Sequence, residues 1–255
     1  MMRSVIVGSL IILVGLGAVL LLFLTAVPAG APDVQGRAAG SLALRSSVVL
    51  VSYGGSPPKI VGAYCGGVIV GEKLVLTAFH CVRVRDDVYV ETYSDRGVAR
   101  SARVVWRRQD ADLALLQADK LIPGRVAELA PDVAVNEPLI LVGAPNSGTA
   151  SVPFMLTRGV VGQILVMNFD GNPFECEKKP EPFGLKDHQV ILTDAQAYFG
   201  NSGGGAFNGD GQLLGILVRG ESATIDGREC DDYAGEAILW AYVVGLEELR
   251  KIPKP

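Results

Sequence analysis

From Ser46 onward the chain consists of short apolar runs separated by turn-forming residues. Gly54-Gly55, Gly71-Glu72 and Asp95-Arg96-Gly97 are turns of this kind. Short runs bounded in this way are typical of β-strands, because a helix shows a longer apolar face with a period of about 3.6. The predicted strands are Val48 to Tyr53, Ile60 to Val70, Leu74 to Thr77, Val88 to Glu91, Val98 to Trp106, Leu113 to Leu116, Leu139 to Val142, Met155 to Val166, Val190 to Thr193, Gly204 to Phe207, Leu213 to Val218 and Ala237 to Val243. Many short strands with little helical pattern indicate an all-β barrel or sandwich.

Two segments depart from the strand pattern. Asn168 to Asp187 carries Gly, Pro, Lys and Glu without alternation, which predicts a long surface loop. Gly245 to Ile252 has apolar residues at helical spacing and acidic residues before basic ones. That pattern predicts a short C-terminal helix.

The N-terminus is a different kind of segment. Residues Val5 to Val27 are uncharged and strongly apolar. At about 1.5 Å per residue a helix of this length spans the roughly 30 Å hydrocarbon core of a bilayer. Secretory signals have shorter apolar regions of about 7–15 residues, so we favour an uncleaved signal-anchor over residues 1–27. A cleaved signal peptide remains the alternative, because Ala29-Gly30-Ala31 resembles a cleavage site.

Either interpretation places the rest of the chain outside the cytoplasm, with the N-terminus inside. The protein is then a single-pass membrane protein, or a secreted one if the segment is cleaved. Residues 28–43, rich in Pro, Gly and Ala, are predicted to be a linker. Residues 44–255 are predicted to form the globular domain, which is long enough to bury a substantial core.

Net charge and cysteine content bear on the function class and on the compartment of the protein. The net charge of −4 and the lack of a long basic run do not indicate a nucleic-acid surface. Four cysteines suit an oxidising compartment, and we predict the pairs Cys65–Cys81 and Cys176–Cys230. A metal site is disfavoured, because the chain has no CxxC spacing and only two histidines.

The candidate nucleophile is Ser202, within Gly200-Asn201-Ser202-Gly203-Gly204. Glycines allow a sharp turn and the close approach of a substrate carbonyl. The amides of Gly200 and Ser202 are then candidate donors to one developing oxyanion. A serine hydroxyl needs a base and a group that orients the base, and the sequence must supply both.

Two histidines are candidates for the base. His188 lies in the polar stretch Leu185 to Gln189, where a solvated or locally bonded side chain is expected. His80 follows the apolar strand Leu74 to Thr77 and precedes Cys81, so it is expected to be held rigidly, as a general base requires. We assign His80.

The orienting carboxylate is predicted beside the apolar run that begins at Leu113. Asp112 abuts this run directly and is expected to be buried, whereas Asp110 is expected to face water. A buried carboxylate needs a partner such as an imidazole N–H. We assign Asp112 and keep Asp110 as the alternative.

These segments, Thr77-Ala78-Phe79-His80-Cys81, Asp112-Leu113-Ala114-Leu115-Leu116 and Gly200-Asn201-Ser202-Gly203-Gly204, occur in the order His, Asp, Ser. Together they resemble the signature segments of chymotrypsin-fold serine peptidases. The bacterial Deg/HtrA-like branch is the most similar, on Thr193-Asp194-Ala195, on Asn201 before the serine and on Gly235-Glu236-Ala237-Ile238. That branch usually carries PDZ domains, and none is expected here.

The resemblance implies two six-stranded antiparallel β-barrels with the site in the cleft between them. It implies that Ser202 attacks a peptide carbonyl, that His80 carries the proton and that Asp112 orients His80. No metal or organic cofactor is implied, and the expected partners are protein or peptide substrates. Asn201 carries no charge, so it cannot form the ion pair that an aspartate at this position makes with a freed N-terminus in chymotrypsin-type zymogens.

The resemblance also places the substrate-binding residues. Gln196 stands where trypsin-like members that cut after Arg or Lys carry an acidic residue, which implies a neutral specificity pocket. Val218, Arg219 and Gly220 would pair with the substrate backbone. The pocket would be lined by Gly235 and Ala237.

The motifs therefore predict a serine endopeptidase. Two alternatives stay open: a catalytically silent binding or scaffold protein on the same fold, and an esterase that uses the same triad. The first is disfavoured because pseudoenzymes usually lose a triad residue or an oxyanion glycine, and this chain keeps all of them.

Overall fold

The computed structural model describes residues 34–52, 55–56, 59–60, 65–83, 86–145, 152–167, 185, 187–221 and 240–253. The predicted membrane or signal helix, most of the loop predicted from Asn168, the pair Cys176–Cys230, and Gly235 and Ala237 lie outside these residues. Within the described ranges, no helix is both long and apolar enough to cross a membrane.

The chain divides into two compact units, Met1–Ala39 and Gly40–Pro255. The described part of the first unit, residues 34–39, is helical. The elements in chain order are α1 (Val34–Ser46), β1 (Val48–Ser52), β2 (Gly55–Ser56), β3 (Lys59–Ile60), β4 (Cys65–Gly71), β5 (Leu74–Ala78), β6 (Asp87–Thr92), β7 (Arg100–Arg108), β8 (Leu113–Ala118), β9 (Pro138–Gly143), β10 (Met155–Val166), β11 (Gln189–Thr193), β12 (Gly205–Phe207), β13 (Leu213–Glu221), β14 (Trp240–Gly245) and α2 (Leu246–Leu249).

The strands of the second unit close into two antiparallel barrels. The first barrel has the order β1-β4-β5-β8-β7-β6, and the second has the order β10-β11-β14-β13-β12-β9. β2 and β3 form a separate two-stranded sheet. The predicted pair of six-stranded barrels is therefore confirmed for the described residues.

Local sequence explains why the strand predictions succeed. β1, with the sequence Val-Val-Leu-Val-Ser, is buried at every position, and so is β5. β-branched residues suit an extended backbone, and closed barrels bury short apolar strands against their own interior. Each predicted strand overlaps one barrel strand, although the run predicted from Ile60 is divided between β3 and β4. The predicted C-terminal helix is present as α2.

Residues 34–46 form helix α1, so the last part of the predicted linker, residues 34–43, is helical. Ala, Leu and Arg, which are strong helix formers, make up seven of the thirteen residues of this helix. The domain boundary at residue 44 stays a prediction.

The segment that connects the barrels is tied to both of them. The amide of Ala127 donates to the carbonyl of Ile69 in β4, at 2.8 Å. The carbonyl of Glu128 accepts from the amide of Leu213 in β13, at 2.7 Å. Because consecutive residues bond to different barrels, this connection fixes where the barrels meet.

A disulfide joins Cys65, the first residue of β4, to Cys81, with a Cα–Cα distance of 6.1 Å and a separation of 16 residues. It confirms the predicted pair. Cys81 ends a single 3₁₀ turn, Phe79–Cys81, that follows β5. The crosslink therefore restrains the turn that carries His80.

Replacing both cysteines, as Cys65→Ala/Cys81→Ala, is expected to lower the free energy of unfolding by about 3 kcal/mol, since the loop is no longer closed in the unfolded chain. Urea unfolding at neutral pH measures the difference. Adding a thiol reductant to the variant is the control, because any further loss then comes from other cysteines. A change below about 1 kcal/mol would contradict the loop-closure account.

Candidate active site

His80 is presented by the 3₁₀ turn that directly follows β5. Ala78 is still extended, with φ −74° and ψ 140°, so the chain turns within one residue of the strand end. The side chain of His80 is 27% exposed. It is thus fixed at its base and open to solvent on one side, as a general base that must reach a substrate needs to be.

Asp112 follows a second 3₁₀ turn, Gln109–Ala111, which precedes β8. Its backbone is left-handed, with φ 50° and ψ 42°, a conformation that is uncommon for residues other than glycine. Its amide donates to the carbonyl of Gln109 at 3.1 Å. The side chain is only 6% exposed, so its charge needs partners.

His80 supplies two of those partners. The backbone amide of His80 donates to Oδ1 of Asp112 at 2.8 Å, and Nδ1 of the ring lies 2.7 Å from Oδ2. A neutral imidazole that donates from Nδ1 keeps its lone pair on Nε2. This two-point contact therefore sets both the orientation and the tautomer of the ring.

Ser202 lies where the second barrel meets the first. Its carbonyl accepts from the amide of Gly66 in β4 at 2.7 Å, and Sγ of Cys81 lies 3.8 Å from the same oxygen. The amide of Gly203 donates back into the second barrel, to the carbonyl of Leu217 at 2.7 Å. The structure thus brings Ser202 against the segments that carry His80.

The loop around Ser202 depends on glycine. Gly200 and Gly203 both have positive φ, of 91° and 80°. Asn201 turns between them, with its amide donating to the carbonyl of Tyr198 at 3.0 Å. Across the part of the chain that the structure describes, the amides of Gly200 and Ser202 have no hydrogen-bond acceptor.

Residues 65–216, more than half of the chain, match the sequence profile of the trypsin-like peptidase domain. The chain belongs to the trypsin-like peptidase family.

Relatives of this trypsin-like peptidase include serine proteases of the HtrA and Do-like groups. "Serine protease HTRA1A" of Danio rerio is 29% identical over 61% of this chain and 30% of the relative. "Protease Do-like 2, chloroplastic" of Arabidopsis thaliana is 33% identical over 59% of this chain and 23% of the relative. The chain thus spans less than a third of the length of these proteins. The resemblance to the HtrA-like branch and the membership of the trypsin-like peptidase family are confirmed.

Solved structures show the same fold. The active form of the Rv3671c protease from M. tuberculosis superimposes with a TM-score of 0.59 at 20% identity, over 85% of this chain and 86% of that one. The HtrA-type protease AlgW, solved with a tripeptide, superimposes with a TM-score of 0.58 at 20% identity, over 84% of this chain and 61% of that one. At these identities the likeness supports the fold alone.

The predicted substrate-binding residues that the structure describes lie on β13 and before the serine. The exposed Gln196 accepts from the hydroxyls of Thr157 through its carbonyl and Tyr198 through its amide oxygen, at 2.5 and 3.0 Å. Val218 is 4% exposed and occupies a register shift in β13. The guanidinium of Arg219 lies 6.0 Å from the centre of the Tyr242 ring.

We predicted that the side chain of His188 is solvated or locally bonded, but the structure shows neither. It is 5% exposed, with Nε2 3.0 Å from Oδ2 of Asp110 and Nδ1 3.1 Å from Oε1 of Glu248. The second contact is an ion pair without hydrogen-bond alignment. The prediction was wrong because it considered only neighbours in sequence, while Asp110 is 78 residues away.

Glu248 is the buried charge that sequence reasoning missed. It lies in α2, and its side chain is 1% exposed. Its Oε2 lies 2.5 Å from Nη1 of Arg108, and its Oε1 lies 2.8 Å from Nζ of Lys251. The sequence signal for its burial was its place between the apolar residues Leu246 and Leu249. We call Arg108, Asp110, His188, Glu248 and Lys251 the interbarrel ion cluster. Removing one partner of such a buried pair typically costs about 3–5 kcal/mol.

The cluster favours the ionised carboxylates. Burial raises the pKa of Glu248, but the hydrogen bond from Lys251 and the proximity of His188 and Arg108 outweigh it and hold the pKa below its ordinary value. Burial likewise raises the pKa of Asp110, and the charges of Arg108 and His188 again bring it below the ordinary value. A lowered pKa contributes stability that is present above the ordinary carboxyl range and is lost as pH falls below about 4.

One group of possible metal ligands occurs among the described residues. Ligand atoms of Cys65, His80 and Cys81 lie within 4.8 Å of one another. Both sulfurs are joined in the disulfide, and a thiolate is the form of cysteine that binds metal. This group therefore does not fit a metal in its present state.

A methyl group at Gly203 would overlap the carbonyl oxygen of Gly66 and the hydroxyl of Thr77. Gly203→Ala is therefore expected to lower the free energy of unfolding by about 3 kcal/mol or more, from backbone strain and overlap together. Gly97→Ala is the matched control, since Gly97 has φ 83° and no atom within 4 Å of an added methyl group. Urea unfolding should show that the free energy of unfolding of the control falls by only about 1 kcal/mol. Equal losses in the two variants would argue against a close contact at Gly203.

Proposed function

We propose that this chain is an exported serine endopeptidase, tethered to a membrane by residues 1–27, that cleaves peptide bonds through Ser202, His80 and Asp112. The observation that carries the proposal is the two-point contact of His80 with Asp112, at 2.8 and 2.7 Å. This contact prepares an imidazole to act as a base at the place where the glycine-bracketed serine meets the first barrel.

The chemistry follows from these positions. The hydroxyl oxygen of Ser202 attacks the carbonyl carbon of the substrate while Nε2 of His80 takes its proton. His80 then donates this proton to the leaving amine, which yields an acyl-enzyme. Water, activated by the same imidazole, releases the acid and restores Ser202. Asp112 stays ionised throughout and stabilises the imidazolium.

The oxyanion of each tetrahedral intermediate would bind the amides of Gly200 and Ser202. Both are backbone donors in a glycine-rich turn, and the substrate oxygen can approach them closely. Removing one oxyanion donor in enzymes of this chemistry costs about 3–4 kcal/mol of barrier. The positive φ of Gly200 supports its role here, because it orients a peptide amide that a side-chain-bearing residue would not readily present.

The substrate backbone would lie along β13. β12 pairs with β13 as far as Ile216, and the bonds of Gly203 and Gly204 to Leu217 continue that edge by one residue. β14 covers the other edge through Glu221. The edge beyond Leu217 is thus where an extended peptide can add as a strand, beside Val218, Arg219 and Gly220. Gln196, with Gly235 and Ala237, would line a neutral pocket that suits a medium-sized apolar side chain.

The compartment belongs to the same proposal. The disulfide Cys65–Cys81 is of the kind that persists in oxidising surroundings, which supports export. Residues 1–27 would then serve as the anchor, with the N-terminus in the cytoplasm. Cleavage of that segment would instead release a secreted enzyme. The reaction requires no cofactor, and the partners are protein or peptide substrates.

The full chain, purified in detergent, is expected to be labelled by a fluorophosphonate probe at Ser202, because only an activated serine attacks the probe. Ser202→Ala should abolish the labelling, and Ser101→Ala, on an exposed strand position, should not change it. Equal labelling of wild type and Ser202→Ala would refute the assignment.

Asp112→Asn is expected to slow the same labelling by about 10³–10⁴-fold, since an amide does not hold the imidazole in the tautomer that leaves Nε2 basic. The shape of the side chain is kept, so circular dichroism should show a folded protein. Asp119→Asn, at an exposed turn, is the matched control. A loss below about tenfold would mean that Asp112 is not the orienting carboxylate.

A further inference from the structure

Side chains of the second barrel contact the turn that precedes Asp112. Arg108 precedes the 3₁₀ turn Gln109–Ala111, and Asp110 is its middle residue. Nη1 of Arg108 donates to Oε2 of Glu248 at 2.5 Å, and Oδ2 of Asp110 lies 3.0 Å from Nε2 of His188. Nε of Arg108 is also 3.4 Å from Oδ2 of Asp110, which closes the chain of contacts.

The two residues that contact this turn, His188 and Glu248, belong to the barrel that carries Ser202. His188 immediately precedes β11, and Glu248 lies in α2, which follows β14 without a break. β11 and β14 are neighbours in the second barrel. The cluster is therefore a polar connection from that barrel to the turn that ends at Asp112.

We propose that Glu248 and His188 are positioning residues that hold the turn Gln109–Ala111, and through it the carboxylate of Asp112, in place relative to Ser202. The inference rests on the proposed function, because the position of Asp112 affects activity only if Asp112 orients the catalytic base. Glu248 and His188 act through Asp112 and are not catalytic residues themselves.

The local structure explains why the turn needs outside support. It is a single 3₁₀ turn, closed by the bond from the amide of Asp112 to the carbonyl of Gln109 at 3.1 Å. Short 3₁₀ turns have poorer hydrogen-bond geometry than α-helices. Asp112 itself is held at φ 50°, a sparsely populated conformation that persists when its surroundings impose it. Side-chain contacts on both sides of the turn supply that restraint.

The cluster remains charged under the conditions in which the peptidase would work. The groups that face Glu248 are Arg108 from the end of β7, Lys251 after α2 and His188 before β11. His188 faces two carboxylates, those of Asp110 and Glu248. Since the pKa values of both carboxyls lie below their ordinary values, they are ionised at neutral pH. Charged partners in a buried setting hold one geometry more firmly than neutral ones.

The test compares Glu248→Gln with the wild-type full chain and with Glu247→Gln. Glu247 is the adjacent residue of α2, contacts Lys251 and has a side chain 56% exposed, so it is a matched control outside the turn. Asp110→Asn is the second test variant, because the Asp110 side chain is 62% exposed and its replacement does not alter the core. Two readouts are used: the labelling rate by the fluorophosphonate probe at its pH plateau, and the low-field proton resonance of the His80 Nδ1–H group by NMR.

We expect Glu248→Gln and Asp110→Asn to label at least about tenfold more slowly than wild type, as small misplacements of a catalytic group do. The low-field resonance should broaden or disappear, because a loosened Asp112 leaves that proton exposed to exchange with water. Glu247→Gln should match wild type in both readouts. A loss of stability alone would change neither the plateau rate per folded molecule nor the resonance.

The outcomes separate the two proposals. If wild type is not labelled at Ser202, the proposed function fails. If wild type is labelled and a folded Glu248→Gln or Asp110→Asn keeps the wild-type rate and resonance, the positioning role is overturned. Should Glu248→Gln not fold, Asp110→Asn decides by the same criterion.

Discussion

The hydrogen-bonded pair of Asp112 and His80 is the interaction on which the site depends. A carboxylate that is 6% exposed is unfavourable without partners, and His80 satisfies it through both its backbone amide and its ring. Each residue sits on a 3₁₀ turn at the end of a first-barrel strand, and β5 pairs directly with β8. The first barrel thus brings the two turns together, and the pair in turn fixes the ring.

The second barrel has to bring Ser202 to that pair, and close backbone approach makes this possible. The amide of Gly66 donates to Ser202 and the amide of Gly203 donates to Leu217, so the serine loop is bonded to both barrels within two residues. Side chains larger than hydrogen do not fit there, since an added methyl group at Gly66 would lie 2.9 Å from the backbone of Gly204. The glycines of the serine motif therefore allow the close approach of the two barrels.

The interbarrel ion cluster shows the limit of reading charge from sequence. In the sequence, Glu248 is one of the acidic residues of the predicted C-terminal helix, and His188 lies in a polar stretch. Both are buried, and their partners Arg108 and Asp110 lie 140 and 78 residues away. Burial and pairing of this kind depend on how two barrels and α2 pack, which no local pattern encodes.

The sequence by itself determined the strands, the candidate triad and the pair Cys65–Cys81, because short apolar runs and glycine-bracketed motifs are local signals. It also indicated that Asp112 is buried and Asp110 exposed, since Asp112 adjoins an apolar strand. Only the tertiary structure decided that Glu248 and His188 are buried and reach the turn before Asp112. These features arise from contacts between residues far apart in the chain, whose distances are set by barrel closure and packing rather than by any sequence period.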